Sequence, residues 1–320
     1  MNPAPESISV GDYLASWLDH AHTRVRAKTH QGYESLIRCY ALPRIGDICL
    51  SELTALGLQR LYGDLQREGR LSGGTVLNLH LVLTQALSQA VRWGVIPSNP
   101  AAGAQPPRPR RAELTAVDEV IAERLLELSR ATRFEIPVAI AIATGMRRGE
   151  ILALRWSDIS ADLSLAAVTR SLQPTMDGLV FERPKTKRSR RSVVLPAFLA
   201  PYLVRQRELQ AARRTACGDA WKEHGLVIDR GDGRPMNPDT LSSGWRTFVR
   251  KNALPPVRFH DLRHAHATLM LAKGVHPKIV SERLGHASVG ITLDTYSHVL
   301  PAMQHEAAQA FDELFPTAGD

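Results

Sequence analysis

Four short segments in the second part of the chain gather side chains able to handle phosphate and protons. Thr144-Gly-Met-Arg-Arg-Gly-Glu150 follows one apolar run and begins another. Gly145 permits a tight turn there, and the helix that follows offers unbonded N–H groups to an anion. Arg147 falls at the turn, with a planar fork that matches phosphate, whereas Arg148 is expected on the outside. Arg183 to Arg191, RPKTKRSRR, carries six basic residues in nine between two β-like runs, and reads as a long basic hairpin. Such a hairpin can lay Lys185 or Lys187 into a groove as phosphate contact and proton donor, with Arg188 and Arg190 beside them. In His260-Asp-Leu-Arg-His-Ala-His266, His260 and Arg263 share a helix face at i and i+3 and together make an anion site. Leu284-Gly-His286 places a histidine just past a helix-capping glycine, and Tyr296, ten residues on, opens a polar stretch outside any apolar stripe.

Each segment also has a plainer use: a capped helix with a charged face, a solvated turn, packed histidines at 264 and 266, and an amphipathic packing tyrosine. His260-Asp261-x-x-His264 further resembles a His-Glu-x-x-His zinc pair, giving a zinc hydrolase as a distant rival. Against it, Asp is shorter than Glu, and Arg263 beside the pair repels a cation.

The elements that position these residues follow from periodicity. Val10 to Trp93 reads as mostly helical, with Tyr13, Leu14, Trp17 and Leu18 at helical spacing and Leu79, Leu83, Leu87 and Val91 along the longest segment. Ser72-Gly-Gly starts that segment; Gly94 and Pro97 stop it. Pro97 to Arg111 has five prolines and three arginines without apolar periodicity, and reads as an extended linker. Helices are expected over Val117–Ser129 and from Ile136 to about Leu154, then β-like runs at Leu165–Thr169, Leu179–Glu182 and Ser192–Leu195. From Phe198 the pattern returns to helix, broken at Gly218–Pro238 and Pro255-Pro256. The fold class is mainly α with a small antiparallel β-sheet, in two domains.

The chain has 320 residues, 44% of them hydrophobic, enough for two cores. Its 40 Lys and Arg outnumber 32 Asp and Glu, for a formal net charge of +8, and 33 of the 40 are Arg. That balance suits a polyanion, nucleic acid or an anionic membrane surface. Cys39, Cys49 and Cys217 are too few and scattered for a disulfide framework or a Cys-based zinc site, which fits a reducing compartment. The first residues lack the pattern of a signal peptide, and the longest apolar stretch, Ile136 to Ala143, is too short for a membrane span. A cytoplasmic protein with no membrane partner is expected.

Taken in chain order, these residues resemble the tyrosine recombinase (phage integrase) family, whose pattern is Arg, Lys, His-x-x-Arg, His or Trp, then Tyr. Here it reads Arg147 in TGMRRGE, Lys185 in PKTKRS, His260 and Arg263 in HDLRHAHAT, His286 in RLGHAS and Tyr296 in LDTYSHV. The resemblance covers residues 8 to 314. It implies a helical core-binding domain that clamps DNA (8–96), a linker (97–112), a catalytic domain (113–300) and a C-terminal tail helix (301–320). Glu150 matches a family acidic position and is expected to buttress Arg147.

The implied activity is site-specific DNA recombination, as for an integrase of a mobile genetic element. Arg147 and Arg263 fork onto non-bridging phosphate oxygens, and His260 and His286 add hydrogen bonds or move a proton. Tyr296, with an unperturbed pKa of about 10, attacks as phenolate and forms a 3′-phosphotyrosine link, releasing a 5′-hydroxyl. Lys185 is the general acid of this scheme, with Lys187 two residues away as its alternative, and His260 is the expected base for the tyrosine proton. The link conserves the phosphodiester energy, so the scheme needs neither ATP nor a metal ion, and no cofactor is expected. Repetition through a Holliday junction exchanges two duplexes. The implied partners are double-stranded DNA, a homo-tetramer assembled on it through the tail, and a DNA-bending or directionality factor. Many phage-type integrases carry a further N-terminal arm-binding domain; about seven residues precede the core-binding-like segment here, and the sequence leaves open whether the protein has such a domain. A non-catalytic DNA-binding regulator on the same fold is the alternative.

Overall fold

The structure, a computed structural model, describes residues 8–108, 117–176, 178–183 and 190–296. The chain divides into two units, Met1–Glu113 and Leu114–Asp320.

The first unit is helical: α1 (Val10–His22), α2 (Ala27–Leu36), a π-helical turn (Ile37–Ala41), α3 (Leu42–Ile45), α4 (Ala55–Arg67) and α5 (Gly73–Arg92). Ser9, Thr54 and Ser72 start α1, α4 and α5 by accepting a backbone N–H of the first turn on their hydroxyls. The expected stripes form its core: Tyr13, Leu14 and Trp17 meet Leu79, Leu83 and Leu87 among buried residues. Tyr13 satisfies its buried hydroxyl by donating to the Ala86 carbonyl at 2.6 Å. The proline-rich segment begins folded rather than extended. Asn99 caps a short 3-10 turn, Pro100–Gly103, and donates to the Thr84 carbonyl, while Ala101 and Ala104 are buried in the same core.

The second unit holds α6 (Glu119–Ser129), α7 (Glu135–Thr144), α8 (Arg148–Ala153), α9 (Ala200–Cys217), α10 (Pro238–Lys251), α11 (Asp261–Ala272), α12 (Pro277–Leu284) and α13 (Val289–Tyr296). Every residue of α7 is buried, the polar ends Glu135 and Thr144 included, and the apolar run Ile136–Ala143 between them suits that burial. Around it pack α6, α8, α9 and α11. Trp245 of α10 anchors the far side against Phe134, Phe248 and Phe259, and its Nε1–H donates to the Val257 carbonyl.

The β structure differs from expectation in two respects. It comprises four strands, β1 (Leu165–Val168), β2 (Ser171–Thr175), β3 (Gly178–Glu182) and β4 (Arg191–Val194). β2 escaped the periodicity because Ser-Leu-Gln-Pro-Thr buries only Leu172 and contains a proline. The pairing is also nested. β2 and β3 form one antiparallel ladder with Ser171 opposite Glu182, and β1 and β4 form another with Leu165 opposite Val194. The basic segment lies between β3 and β4, which are not paired with each other among the described residues. Its residues 184–189, including Lys185, Lys187 and Arg188, lie outside the described residues.

Candidate active site

Two helices end at one guanidinium. α7 and α12 both stop at glycines in the left-handed region, Gly145 (φ 64°) and Gly285 (φ 68°). A Cβ on Gly145 would lie 2.6 Å from a Leu284 methyl and 2.7 Å from the His266 ring, so the turn needs glycine for space as well as conformation. Arg263, 4% exposed, donates from Nη1 to the Gly145 carbonyl and from Nη2 to the Leu284 carbonyl, both at 2.7 Å. These carbonyls lie at helix C-termini, where the backbone dipole favours a cation. Among the described residues Arg263 has no carboxylate partner. Burial, then the neighbouring Arg147 charge, pulls its pKa down to about 9. The fork is charged and oriented.

Beside it, Glu150 collects two more arginines. The Glu150 carboxylate caps α8 by accepting the Arg147 backbone N–H at 2.9 Å, and it also accepts Arg147 Nη1 at 2.9 Å. From β4, Arg191 donates Nη2 and Nη1 to the same carboxylate at 2.9 and 3.3 Å. Burial alone would raise the Glu150 pKa, but Arg191 and Arg147 win and hold it below the ordinary carboxylate range. Glu150 and Arg191 side chains are 5% and 6% exposed, whereas Arg147 is 40% exposed and keeps an accessible face. Glu150 thus contacts both Arg147 and Arg191, the second an arginine that the sequence did not single out.

The histidines sort into different roles. His286, after Gly285, is half-buried, and its Nδ1 lies 2.8 Å from Thr292 Oγ1. Desolvation, then Arg263 and Arg147, takes it down to about 4, so it is neutral at physiological pH. His260 is exposed at the start of α11. The packed part of its ring, then the charges of His264 and Arg263, also lowers its pKa. His266 is structural. Arg283 Nε approaches its Nε2 at 3.5 Å, which leaves Nδ1–H to donate to the Ile142 carbonyl at 2.8 Å. Arg283 also donates to the Ala143 and Val194 carbonyls, tying α12 to α7 and β4.

Tyr296 ends α13, and here the structure corrects the reading from sequence. The ring does not stand apart in a polar stretch. It is 1% exposed and packs with Ala267, Leu271, Val280 and Leu284. Its hydroxyl lies 2.8 Å from Nδ1 of His264, and burial raises its pKa to about 12.

The structure thus brings together Arg147, Glu150, Arg263, His286 and Tyr296, with His260 at the rim. Arg190 is exposed. Arg148 stands outside the cluster yet is not free: it donates to the Pro238 carbonyl and Ser242 and pairs with Asp239. Sequence reasoning passed over Arg191, Arg283 and the contact of His264. For Arg191 a signal existed, since strand alternation places it on the same face as buried Val193. Among the described residues no three His, Cys, Asp or Glu side chains gather as a metal site requires, and no helix is long and apolar enough to cross a membrane.

A mainly helical domain whose arginines, histidines and tyrosine converge from the start of α8, from α11, from the turn after α12 and from α13 defines the class of the tyrosine recombinases, and comparison with known proteins agrees. Residues 117–303 match the phage integrase family, and residues 9–66 match the phage integrase N-terminal SAM-like domain. A tyrosine recombinase XerC-like protein of Caldanaerobacter subterraneus subsp. tengcongensis is 26% identical over 332 residues, covering 97% of this chain and 84% of that protein. The Tn1549 transposon integrase in complex with transposon right end DNA superposes with a TM-score of 0.81 at 20% identity, over 96% of this chain and 99% of that one. A lambda integrase tetramer bound to a Holliday junction gives 0.69 at 18% identity, over 88% and 78%. The chain belongs to the phage integrase family, and is a site-specific recombinase of the tyrosine type.

Proposed function

We propose that the chain cleaves and rejoins double-stranded DNA at specific sites with Tyr296 as nucleophile, as the integrase of a mobile genetic element. One observation carries this: the buried Arg263 guanidinium is aimed by two helix termini, lacks a carboxylate partner among the described residues, and stands beside a tyrosine whose hydroxyl is already hydrogen-bonded. Arg263 and the accessible face of Arg147 each present a fork to non-bridging phosphate oxygens. Glu150 and Arg191 hold Arg147 in place, and neutral His286 and His260 contribute hydrogen bonds from the turn after α12 and the start of α11. Charge stabilisation by such oriented donors contributes more to phosphoryl transfer than any new covalent chemistry would.

Attack by the Tyr296 oxygen at phosphorus breaks the bond to the 5′ oxygen, which takes its proton from Lys185, with Lys187 as the neighbouring alternative. The free 5′-hydroxyl of another strand then attacks the phosphotyrosine, so bond energy is conserved and no external energy source enters. Residues 8–96 would bind the duplex as a core-binding domain, joined to the catalytic domain by the linker 97–112, with Arg188 and Arg190 contacting backbone. Exchange on both strand pairs calls for four copies. The lambda integrase neighbour is a tetramer on a Holliday junction, which supports this reading. The segment 301–320, amphipathic in sequence through Met303, Ala307, Ala310, Phe311 and Leu314, would close that ring. A soluble cytoplasmic protein with a DNA-bending or directionality partner fits the same scheme.

The test is incubation with nicked duplex spanning the ends of the element that encodes the chain, in EDTA, followed by a denaturing gel. A protein–DNA band that disappears in Tyr296→Phe supports the proposal; tight binding without a band makes the chain a regulator.

A further inference from the structure

We propose that His264, rather than His260, holds the Tyr296 hydroxyl and accepts its proton as the tyrosine oxygen attacks phosphorus. This rests on the reading of Tyr296 as the nucleophile and concerns the same site.

The two histidines of α11 are one helical turn apart, with ring centroids 5.2 Å apart and planes nearly perpendicular. The outer one, His260, faces solvent. The inner one, His264, is half-buried and directs Nδ1 at the Tyr296 oxygen, 2.8 Å away. The tyrosine and His264 rings are 5.7 Å apart and tilted by 54°, so the contact is an edge-on one through nitrogen rather than a stack. Tyr296 is 1% exposed, which leaves almost no room for water to serve as the hydroxyl's partner. Among the described residues, His264 is its hydrogen-bond partner.

The placement also links base and phosphate site mechanically. His264 directly follows Arg263, whose fork is fixed by the ends of α7 and α12. One rigid segment of α11 thus sets both the anion-binding guanidinium and the nitrogen that faces the nucleophile. Desolvation lowers the His264 pKa, keeping the ring neutral and its lone pair available at physiological pH.

With the proton of neutral His264 on Nε2, the tyrosine O–H donates to Nδ1. As the Tyr296 oxygen bonds to phosphorus, its proton passes to Nδ1, the bond from phosphorus to the 5′ oxygen breaks, and that oxygen takes the proton of Lys185. In rejoining, the incoming 5′-hydroxyl gives its proton to the lysine amine, and the imidazolium returns its proton to the departing tyrosine.

The experiment is single-turnover adduct formation by the full chain on the nicked duplex above, comparing wild type, His264→Ala, His264→Asn and Tyr296→Phe, each first checked for folding by circular dichroism and for DNA affinity. The Asn side chain keeps a hydrogen-bonding group near the Nδ1 position but takes no proton. His264→Ala and His264→Asn are expected to bind DNA as wild type does and to form adduct about 100-fold more slowly. Free imidazole is expected to recover roughly tenfold in the alanine variant and nothing in the asparagine variant. An alanine variant as fast as wild type overturns the proposal, as does an asparagine variant restored to wild-type rate, which would reduce His264 to an anchor. Adduct persisting in Tyr296→Phe instead removes the nucleophile reading itself, so the two failures are told apart.

Discussion

Glu150 and Arg191 meet in a two-point ion pair between α8 and β4, 41 residues apart in sequence, with both side chains almost fully buried. Arg147 joins the same carboxylate from its exposed side, so one acid fixes the geometry of a phosphate-facing arginine and anchors a strand. Removing one member of such a pair leaves a buried charge uncompensated. Glu150→Ala is expected to cost about 3–5 kcal/mol in urea unfolding. Glu150→Leu combined with Arg191→Met should recover most of that stability while leaving cleavage impaired, because Arg147 has lost its support. Equal stability of the single alanine variant and wild type would contradict this.

Arg263 acts through its shape. Arg263→Lys keeps the charge but not the planar fork that spans the carbonyls of Gly145 and Leu284. Adduct formation should fall by about 10²–10³ with DNA affinity changed far less. Comparison of single-turnover cleavage with gel-shift binding reads both quantities, and a parallel loss in the two would make Arg263 a binding residue only.

The Gly145 turn predicts strain on substitution. Gly145→Ala forces a left-handed residue, at about 1–2 kcal/mol, and also brings a methyl against Leu284 and His266. Thermal unfolding should show a loss larger than the conformational term alone. A change of less than that term would mean that α7 and α12 separate easily.

Acid should weaken the second unit through His266. Its folded pKa is about 4, lowered chiefly by burial, against an unfolded value of about 6.5. Between those values the unfolded chain binds a proton that the folded chain refuses, so stability is fully present above pH ~6.5 and falls towards pH ~4. Glu150, whose pKa is also depressed, adds a further loss below the ordinary carboxylate range. His266→Asn should flatten the decline between pH 6.5 and 5 in denaturant titrations; an unchanged slope would assign it to other histidines.

Much of this site was legible from residue type and order, and the reasons are local. Gly145 and Gly285 mark helix ends in any context, and Arg147, Glu150 and His286 are placed by the turns they adjoin. Convergence was not legible, because it depends on contacts between distant segments. The carbonyls that aim Arg263 lie 118 and 21 residues away, and the carboxylate that anchors Arg191 lies 41 away. His264 read as an ordinary packed histidine because nothing in α11 alone says that α13 brings a tyrosine hydroxyl to it. Tyr296 read as a polar-stretch residue because Ser297 and His298 follow it, while the apolar partners of its ring come from α11 and α12. β2 lacked alternation, so the nesting of the two antiparallel ladders was not legible.

The central claim is that Tyr296 carries the DNA strand. Adduct formed on the nicked duplex should be digested with protease and nuclease, and the modified peptide sequenced by mass spectrometry. A nucleotide linked through its 3′ phosphate to Tyr296 is the predicted result. Linkage to another side chain, or strands cut without any linkage to protein, would contradict the account.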